Sequence, residues 1–474
     1  MTDLGALEDF IALGPLDGRY RSVAEPLVNH LSEAALNRAR LHIEIEWLTW
    51  LTTHGVLPGA PTFSEGEKQY LRSQVSGFGA AEIAQLATIE AETRHDVKAV
   101  EYLLKSILER APQELGANTV LPKVKEIVHI FCTSEDINNL SYGLVIRSAV
   151  QRVWLPKARA LVEQLKHMAK DYRDVPMLAH THGQPATPVT MGHEIAVWAY
   201  RLGRQIDLID AQPYLGKING ATGDFAAHTV AVPNADWPAI SRGFVEHLGL
   251  TWNPLTTQIE SHDWQSELYA NVARFNRIAH NVATDTWSYI SMGYFHQKLS
   301  AQGSTGSSTM PHKVNPIRFE NAEANMEISC ALLDSLAATL VTSRLQRDLT
   351  DSTTQRNAGV GLGHSLLAID NLMRGFDGLE ADTALLARDL DNNWEVLGEA
   401  VQQAMRVAAI AGATGMEDPY ERLKDLTRGH KVDGPAMRAF IESLGLPKDV
   451  EQRLTQLTPA TYTGIASDLV NYLE

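Results

Sequence analysis

The sequence predicts a mainly α-helical protein with a long helical bundle at its centre. Apolar residues recur every three or four positions over long stretches, and alternating strand patterns are scarce. The length of 474 residues is enough for about three domains. Breaks rich in proline, glycine and asparagine predict domains at 1–120, 121–375 and 376–474.

The helices follow one another along the chain. Apolar positions in 97–107 share one helical face, and a longer helix-compatible stretch runs from about 140 to 172. Pro156 predicts a kink in that stretch. The same periodicity predicts helices at 202–209, 271–289 and 321–345. The best short strand candidate covers 228–232.

The charge of the chain is strongly acidic. Asp and Glu number 57 against 41 Lys and Arg, which gives a net charge of −16. Phosphate backbones and anionic lipid are bound by basic surfaces, so this balance argues against nucleic acid and membrane as partners. No apolar stretch is long enough to span a bilayer.

The cysteines and the N-terminus indicate the compartment. Cys132 and Cys330 lie far apart, so neither a disulfide framework nor a zinc-ligand spacing is present. The first residues lack the basic region and apolar run of a signal peptide. A cytoplasmic location is therefore expected.

The most unusual segment is 301–325, AQGSTGSSTMPHKVNPIRFENAEAN. Its glycines and hydroxyl side chains are typical of a flexible surface loop that ends at a helix-starting proline. They are also compatible with a mobile lid whose backbone N–H groups and Lys313 meet an anion. Composition alone leaves both interpretations open.

Within it, residues 306–316 (GSSTMPHKVNP) resemble the signature loop of the fumarase/aspartase superfamily, whose members eliminate fumarate from substituted succinates. The resemblance implies a three-domain helical fold and a homotetramer with active sites shared between subunits. It implies neither a cofactor nor a metal. Ser307 would be the general base; Ser308, Met310, Lys313 and Asn315 would contact substrate, Lys313 and Asn315 at a carboxylate.

A second segment, 179–188 (AHTHGQPATP), contains His180 and His182. The two histidines could be metal ligands on a strand, or a structural pair satisfied by hydrogen bonds. The segment also resembles the histidine motif of the adenylosuccinate lyase branch. That resemblance implies His182 as the general acid, with Thr181 and Gln184 contacting the succinyl group.

A third segment, 93–101, begins a helix with an acid in its first turn. The same branch carries a His-Asp-Val motif here, which implies His95 as a catalytic residue close to the general acid, and Asp96 as a substrate-binding residue beside it. Arg94 departs from the small polar residue that is common in the branch. It could add a cation near the substrate or point away from it.

Thr133 and Ser134 begin a fourth segment, 132–138 (CTSEDIN). Hydroxyl residues followed by acids are typical of a helix N-cap. The resemblance implies that this pair also holds the succinyl carboxylate, because a helix N-terminus favours an anion. The two interpretations are compatible.

Further resemblances to this branch concern the nucleotide. Arg347 and Arg356 could lie on a solvated helix face, or they could bind a phosphate through bidentate hydrogen bonds. The branch has nucleotide- and substrate-contacting residues at the matching positions Arg19, Tyr20, Gln258, Arg347, Ser352 and Arg356.

Together these resemblances imply a carbon–nitrogen lyase of purine synthesis that acts on small nucleotide substrates. Another fumarate-releasing lyase, such as argininosuccinate lyase, is the alternative within the superfamily. A serine hydrolase is disfavoured because Ser307 lacks the G-x-S-x-G elbow. A catalytically silent structural homologue is disfavoured because Ser307, Lys313 and His182 are all present. A small cationic cleft in an acidic protein is expected.

Overall fold

A computed structural model of the chain describes residues 12–298, 310, 314–427 and 431–474. Helices dominate these residues, so the predicted mainly helical class is confirmed. The α-helices in chain order are α1 (Arg21–Leu31), α2 (Glu33–Thr53), α3 (Glu65–Ser76), α4 (Ala80–Thr93), α5 (Asp96–Leu115), α6 (Ser134–Ala149), α7 (Leu155–Asp171), α8 (Met191–Asp210), α9 (Ala226–Ala231), α10 (Trp237–His247), α11 (Asp263–Ser291), α12 (Ile317–Leu340), α13 (Thr350–Gln355), α14 (Ala358–Asp377), α15 (Thr383–Asp391), α16 (Gly398–Ile410), α17 (Pro419–Thr427), α18 (Gly434–Ser443), α19 (Lys448–Gln456) and α20 (Ala466–Leu469).

The strands of the described residues are short and form two-stranded ladders. Three ladders are antiparallel: β1 (Pro176–Met177) with β4 (Val189–Thr190), β2 (His180–Thr181) with β3 (Gln184–Pro185), and β7 (Phe295–Gln297) with β8 (Leu379–Ala381). The remaining ladder is parallel and joins β5 (Leu215–Gly216) to β6 (Thr251–Trp252).

The chain divides into two compact units, each made of discontinuous segments. The first unit is Met1–Ala158, Gln205–Arg277 and Ala324–Asp370; the second is Arg159–Arg204, Ile278–Glu323 and Asn371–Glu474. The predicted division into 1–120, 121–375 and 376–474 follows chain order instead, and it stays a prediction.

Each unit contains its own apolar cluster. In the first unit, Leu41 and Leu48 of α2 pack with Leu71 of α3 and Leu104 of α5, all at most 1% exposed. In the second unit, the cluster extends from Trp394 to Leu454 and includes Val401 of α16 and Met437 of α18. Burial of these side chains, rather than helix propensity, is what stabilises helices of this length.

The predicted long helix at 140–172 is continuous but changes its winding. The α6 helix passes into a π-helical turn at Val150–Trp154, where the Leu155 N–H bonds to the Val150 carbonyl, and then into α7. Pro156 lacks an N–H and cannot complete a regular α-helical ladder. The expected irregularity is therefore a π-turn.

That turn aligns Trp154 with a buried chain of polar groups in the first unit. Its Nε1–H donates to Ser365 Oγ at 2.8 Å, and Ser365 donates to Asn276 Oδ1 at 2.7 Å. The Asn276 amide donates to Ser329 Oγ at 2.9 Å, and Ser329 donates to the Gly361 carbonyl at 2.7 Å. Each buried donor has an acceptor, which fixes the register of four segments.

Two local predictions were wrong. Residues 228–232 are not a strand: α9 covers most of them, and the Val232 N–H bonds to the His228 carbonyl at 2.9 Å. The His228 ring is buried against Phe131, with ring centroids 4.9 Å apart, so burial of one helical face overrides strand propensity. The helix predicted to reach Leu345 ends at Leu340. Within the described ranges, no helix has both the length and the apolar character to cross a membrane.

Candidate functional site

The start of α5 carries the first group of predicted site residues. Arg94 adopts the left-handed conformation, with a φ of 52°, and ends α4. His95 caps α5: its Nδ1 accepts the Lys98 N–H at 3.2 Å, while half of its side chain stays exposed. Asp96 accepts the Val97 N–H at 2.9 Å. Arg94 is exposed and directly precedes His95 and Asp96 in the sequence.

Asp96 forms ion pairs with two arginines from distant segments of the chain. Its Oδ2 accepts from Arg40 Nη2 at 2.8 Å and from Arg356 Nη2 at 2.9 Å. Burial raises the pKa of Asp96, but the two guanidinium charges and the Val97 N–H outweigh burial and hold it below its usual range. Asp96 is therefore an ionised bridge at neutral pH.

Arg356 is fixed by further contacts. Its Nη1 donates to the Ser352 carbonyl at 2.7 Å and to Ser352 Oγ at 2.9 Å, and its Nε donates to Glu33 at 3.2 Å. We call Asp96, Ser352 and Arg356 the Asp96 cluster. Three residues that the sequence predicted separately thus lie together, and the Arg356 side chain remains 35% exposed.

The N-terminus of α6 carries Thr133 and Ser134 on a rigid support. The Thr133 N–H donates to Asp136 Oδ2 at 2.9 Å, so the acid three residues into the motif holds the start of the helix. Asp136 is fully buried; it pairs with Lys217 at 2.8 Å and accepts the N–H groups of Asn219 and Gly220. This end of the helix cannot shift without leaving a buried charge unpaired.

Arg347 lies against buried acids. Its Nη1 donates to Glu135 Oε2 at 2.8 Å, and its Nη2 is 3.9 Å from Asp351 Oδ1. The other oxygen of Glu135 is buried without a hydrogen-bond partner among the described residues. Burial raises the pKa of Glu135 although the charges of His262 and Arg347 oppose it.

His262 completes this group from a position with a φ of 60°. Its Nε2 is 3.1 Å from Asp351 Oδ2, and its ring is buried. Burial lowers the pKa of His262, but the bond to Asp351 and the charges of Glu135 and Glu260 outweigh burial and raise it.

Glu135, His262 and Asp351 offer ligand atoms within 4.8 Å of one another, and they are the described residues that could hold a metal ion. Arg347 already brings a positive charge to Glu135, and the His262 Nε2–H is directed at Asp351. A cation would displace both interactions, so the donor set fits an ion-pair network better than a metal. The group does not contain His180 or His182.

The remaining candidates of the first unit are Gln258, Arg19 and Tyr20. Gln258 is half-buried and donates to the Ala221 carbonyl at 3.0 Å. Arg19 is exposed just before α1, and its guanidinium carbon lies 5.7 Å from the centre of the Tyr20 ring.

In the second unit, His182 is at the tip of a tight hairpin. Thr181 pairs with Gln184, so His182 and Gly183 form a two-residue turn with φ values of 53° and 72°. Two positive φ values in such a loop are typical of a type I′ turn. Glycine adopts this conformation freely, whereas a histidine there is strained by about 1 kcal/mol. We call residues 180–185 the His182 hairpin; Thr181, His182 and Gln184 are all exposed.

The signature segment is described only in part. Met310 is 45% exposed, and Asn315 is half-buried just before α12. The carbonyl of neighbouring Val314 accepts a bond from the Gln297 amide at 2.9 Å. The predicted base Ser307, together with Ser308 and Lys313, lies outside the described residues.

Several residues at these sites were not predicted from the sequence. Arg40 is 1% exposed, although it lies on the apolar face of α2 that also buries Leu36 and Ile43. A charged residue on an apolar helical face requires a buried partner, and that signal could have indicated Arg40. Glu135 lies inside the 132–138 motif, for which the sequence predicts substrate contacts from the hydroxyl residues alone.

Two family profiles match the chain. Residues 18–330 match the family described as lyase, and residues 343–463 match the family described as adenylosuccinate lyase C-terminal.

Relatives and a solved structure agree with these matches. An adenylosuccinate lyase from Escherichia coli (strain K12) is 46% identical over 468 residues, covering 99% of this chain and 100% of that protein. An adenylosuccinate lyase from Vibrio cholerae serotype O1 is 45% identical and covers 98% and 100%. The crystal structure of fumarate lyase from Mesorhizobium sp. BNC1 superimposes with a TM-score of 0.72 over 95% of this chain and 97% of its own, at 18% identity. This last likeness concerns the fold alone.

Proposed function

The chain belongs to the adenylosuccinate lyase family of the fumarase/aspartase superfamily, and we propose that it eliminates fumarate from two nucleotide substrates. One is adenylosuccinate, which gives AMP. The other is the succinylated aminoimidazole carboxamide ribotide, which gives the carboxamide ribotide. Both carry a phosphate and a succinyl dicarboxylate that is attached through nitrogen.

The observation that carries this proposal is the arrangement of Arg347, Ser352 and Arg356. Glu135 holds the Arg347 guanidinium and Asp96 holds that of Arg356. Ser352 accepts a hydrogen bond from Arg356. Arginines that are oriented in advance lose little entropy when they bind a phosphate, and their planar donors fit its oxygens. We assign Arg19 and Tyr20 to the same phosphate.

The succinyl group needs separate anion contacts. Thr133 and Ser134 offer a helix N-terminus that Asp136 and Lys217 hold rigid, which supports their role at one carboxylate. We assign Thr181, Gln184, Met310, Ser308, Lys313 and Asn315 to the succinyl group, and Gln258, His95, Asp96 and Arg94 to the surroundings of the reacting nitrogen.

The elimination divides between two groups. Ser307 would remove a proton from the succinyl carbon, and the electron pair would move into the adjacent carboxylate, which Lys313 and Asn315 stabilise. As the carbon–nitrogen bond breaks and the fumarate double bond forms, His182 would donate a proton to the departing nitrogen. Histidine suits this role because its ordinary pKa is near neutral. The strained, exposed turn of His182 supports a functional role.

We further propose a cytoplasmic homotetramer whose active sites combine segments of different subunits. Val197, Tyr200 and Trp287 of the second unit are large apolar side chains that are at least 41% exposed on long helices, as an unpaired association surface requires. The two free cysteines fit a reducing compartment.

The function is tested by following the purine absorbance of adenylosuccinate with the purified chain. We expect fumarate and AMP in equal amounts. Ser307→Ala should lower kcat by roughly 10²- to 10⁴-fold, since this is the usual contribution of an acid–base group. Ser308→Ala is the matched control and should retain more activity. No turnover by the wild-type chain, or turnover of argininosuccinate instead, would contradict the proposal.

A further inference from the structure

A buried carboxylate anchors the Arg347 guanidinium. Glu135 is 2% exposed, and Arg347 is its hydrogen-bond partner at 2.8 Å, with 14% of the arginine side chain exposed. If Arg347 moved away, the buried Glu135 carboxylate would lose this hydrogen bond and one of the positive charges that act on it. Such a pair strongly favours one orientation of the guanidinium.

A second layer of side chains holds that pair in place. Asp351 Oδ1 is 3.9 Å from Arg347 Nη2, and its other oxygen is 3.1 Å from His262 Nε2. On the far side of the imidazole, Nδ1 is 3.4 Å from the Gln265 amide nitrogen. Asp351 is therefore bound on two sides and cannot turn away from Arg347 without breaking a buried bond.

Glu135 occupies a special position in the chain. It directly follows Ser134 at the start of α6, and its partner Arg347 lies five residues before Ser352. One carboxylate thereby connects the segment assigned to the succinyl group with the segment assigned to the phosphate. The distance between these two anion contacts is fixed before substrate arrives.

We propose that Glu135, braced by Asp351 and His262, is a positioning residue for the substrate phosphate. It does not touch substrate; it orients Arg347, which does. This assignment rests on the proposed function of Arg347. Glu135, Asp351 and His262 thereby influence substrate binding through Arg347 without contacting substrate themselves.

Glu135→Gln tests the proposal, since the substitution keeps the shape of the side chain and removes its charge. We expect the KM for adenylosuccinate to rise roughly 10- to 100-fold, the usual range for a charge-assisted bond, with kcat nearly unchanged. The KM for succinyladenosine, the same substrate without its phosphate, should stay as in the wild type. An equal rise for both substrates would overturn the proposal.

A double-mutant cycle separates positioning from a direct role. Arg347→Met alone should raise the KM for adenylosuccinate, and adding Glu135→Gln to it should cause no further rise. A further rise in the Arg347→Met background would overturn the proposal. An Arg347→Met variant with an unchanged KM would also overturn it, while leaving lyase activity intact. An inactive wild-type chain would instead overturn the proposed function, and this assignment with it.

Glu46→Gln is the matched control for loss of the charge of a buried carboxylate, here one that pairs with a half-exposed arginine. Glu46 is 4% exposed and accepts two bonds from Arg72, at 2.8 and 3.0 Å. We expect this variant to be less stable than the wild type but to keep its KM. If Glu135→Gln does not fold, Asp351→Asn repeats the test one step further from Arg347. In this variant the KM for adenylosuccinate should rise by less than about 10-fold, and the KM for succinyladenosine should again stay as in the wild type.

Discussion

The Asp96 cluster and the His182 hairpin differ in almost every physical respect. Asp96 bonds to a buried arginine and to Arg356, so its geometry is determined by several charged contacts. His182 is exposed at a turn with a positive φ. The first region resists deformation because moving one member leaves another charge unpaired. The geometry of the hairpin depends instead on the positive φ values of His182 and Gly183. Substitutions in the Asp96 cluster should therefore change mainly stability, and substitutions in the hairpin mainly catalysis.

The largest expected effect is on catalysis in the hairpin. His182→Ala should lower kcat by roughly 10²- to 10⁴-fold, because it removes the proposed proton donor. The free energy of unfolding in urea should change by less than about 0.5 kcal/mol, since the side chain is exposed. His180→Ala is the control in the same hairpin. If it loses as much activity as His182→Ala, the two histidines do not have distinct roles.

The next effect is on stability in the Asp96 cluster. Asp96→Ala removes the carboxylate that is 2.8 Å from Arg40, a side chain that is 1% exposed, and Glu33 at 3.9 Å is too distant to replace its hydrogen bond. The free energy of unfolding should fall by about 3 kcal/mol, as for a broken buried ion pair. Asp449→Ala removes an exposed partner of Arg453 and should change it by less than about 0.5 kcal/mol. Equal effects of both variants would show that burial of the pair is irrelevant.

The pH dependence of stability extends the comparison to another charged pair of the first unit. His129 Nδ1 is 2.6 Å from Glu44. Burial lowers the pKa of His129, but the bond to Glu44 and the charges of Glu44 and Glu101 outweigh burial and raise it. The pair therefore stabilises the fold fully below the unfolded histidine pKa of about 6.5, and the contribution is lost as pH rises through the higher folded pKa.

The free energy of unfolding of the wild type should be about 1.5 kcal/mol higher than that of His129→Gln at pH 6, and the difference should be smaller at pH 9. Urea unfolding at both pH values measures it. A difference that grows with pH would contradict this sign.

The smallest expected effect is on the hairpin backbone. Gly183 has a φ of 72°, and an added Cβ would meet nothing within 4 Å, so Gly183→Ala should destabilise only through backbone strain, by about 1 kcal/mol. Because the turn carries His182, kcat should fall as well. Gly445→Ala, at a φ of 68° with equally open space, is the control and should leave kcat unchanged. If both variants keep full kcat, the turn does not orient the histidine.

The fold was predictable from the sequence where periodicity is long. The helices α5, α8 and α11 were predicted from apolar residues at helical spacing, which depends on the local chain alone. The short segment at 228–232 was predicted wrongly, because the burial of His228 against Phe131 comes from a residue almost 100 positions away. Short elements are decided by tertiary contacts that no local pattern contains.

The candidate site shows the same limit. Motifs predicted Asp96, Ser352 and Arg356 individually, and in the structure the Arg356 guanidinium donates to both of the other two. Arg40 and His262 were not predicted, because each acts through a partner that is distant in sequence. Ion pairs depend on three-dimensional distance, and sequence spacing does not give it.

The π-turn at Val150–Trp154 has a consequence for insertions and deletions in this chain. A π-turn adds a residue to a helix without lengthening it by a full α-helical step. Deleting one residue there would restore regular winding but turn the side chains on one side of the deletion by about 100° relative to the other. Trp154 would then face away from Ser365. The number of residues between α6 and α7 is thus constrained, because a deletion there would break the Trp154–Ser365 bond whichever residue of the turn were removed.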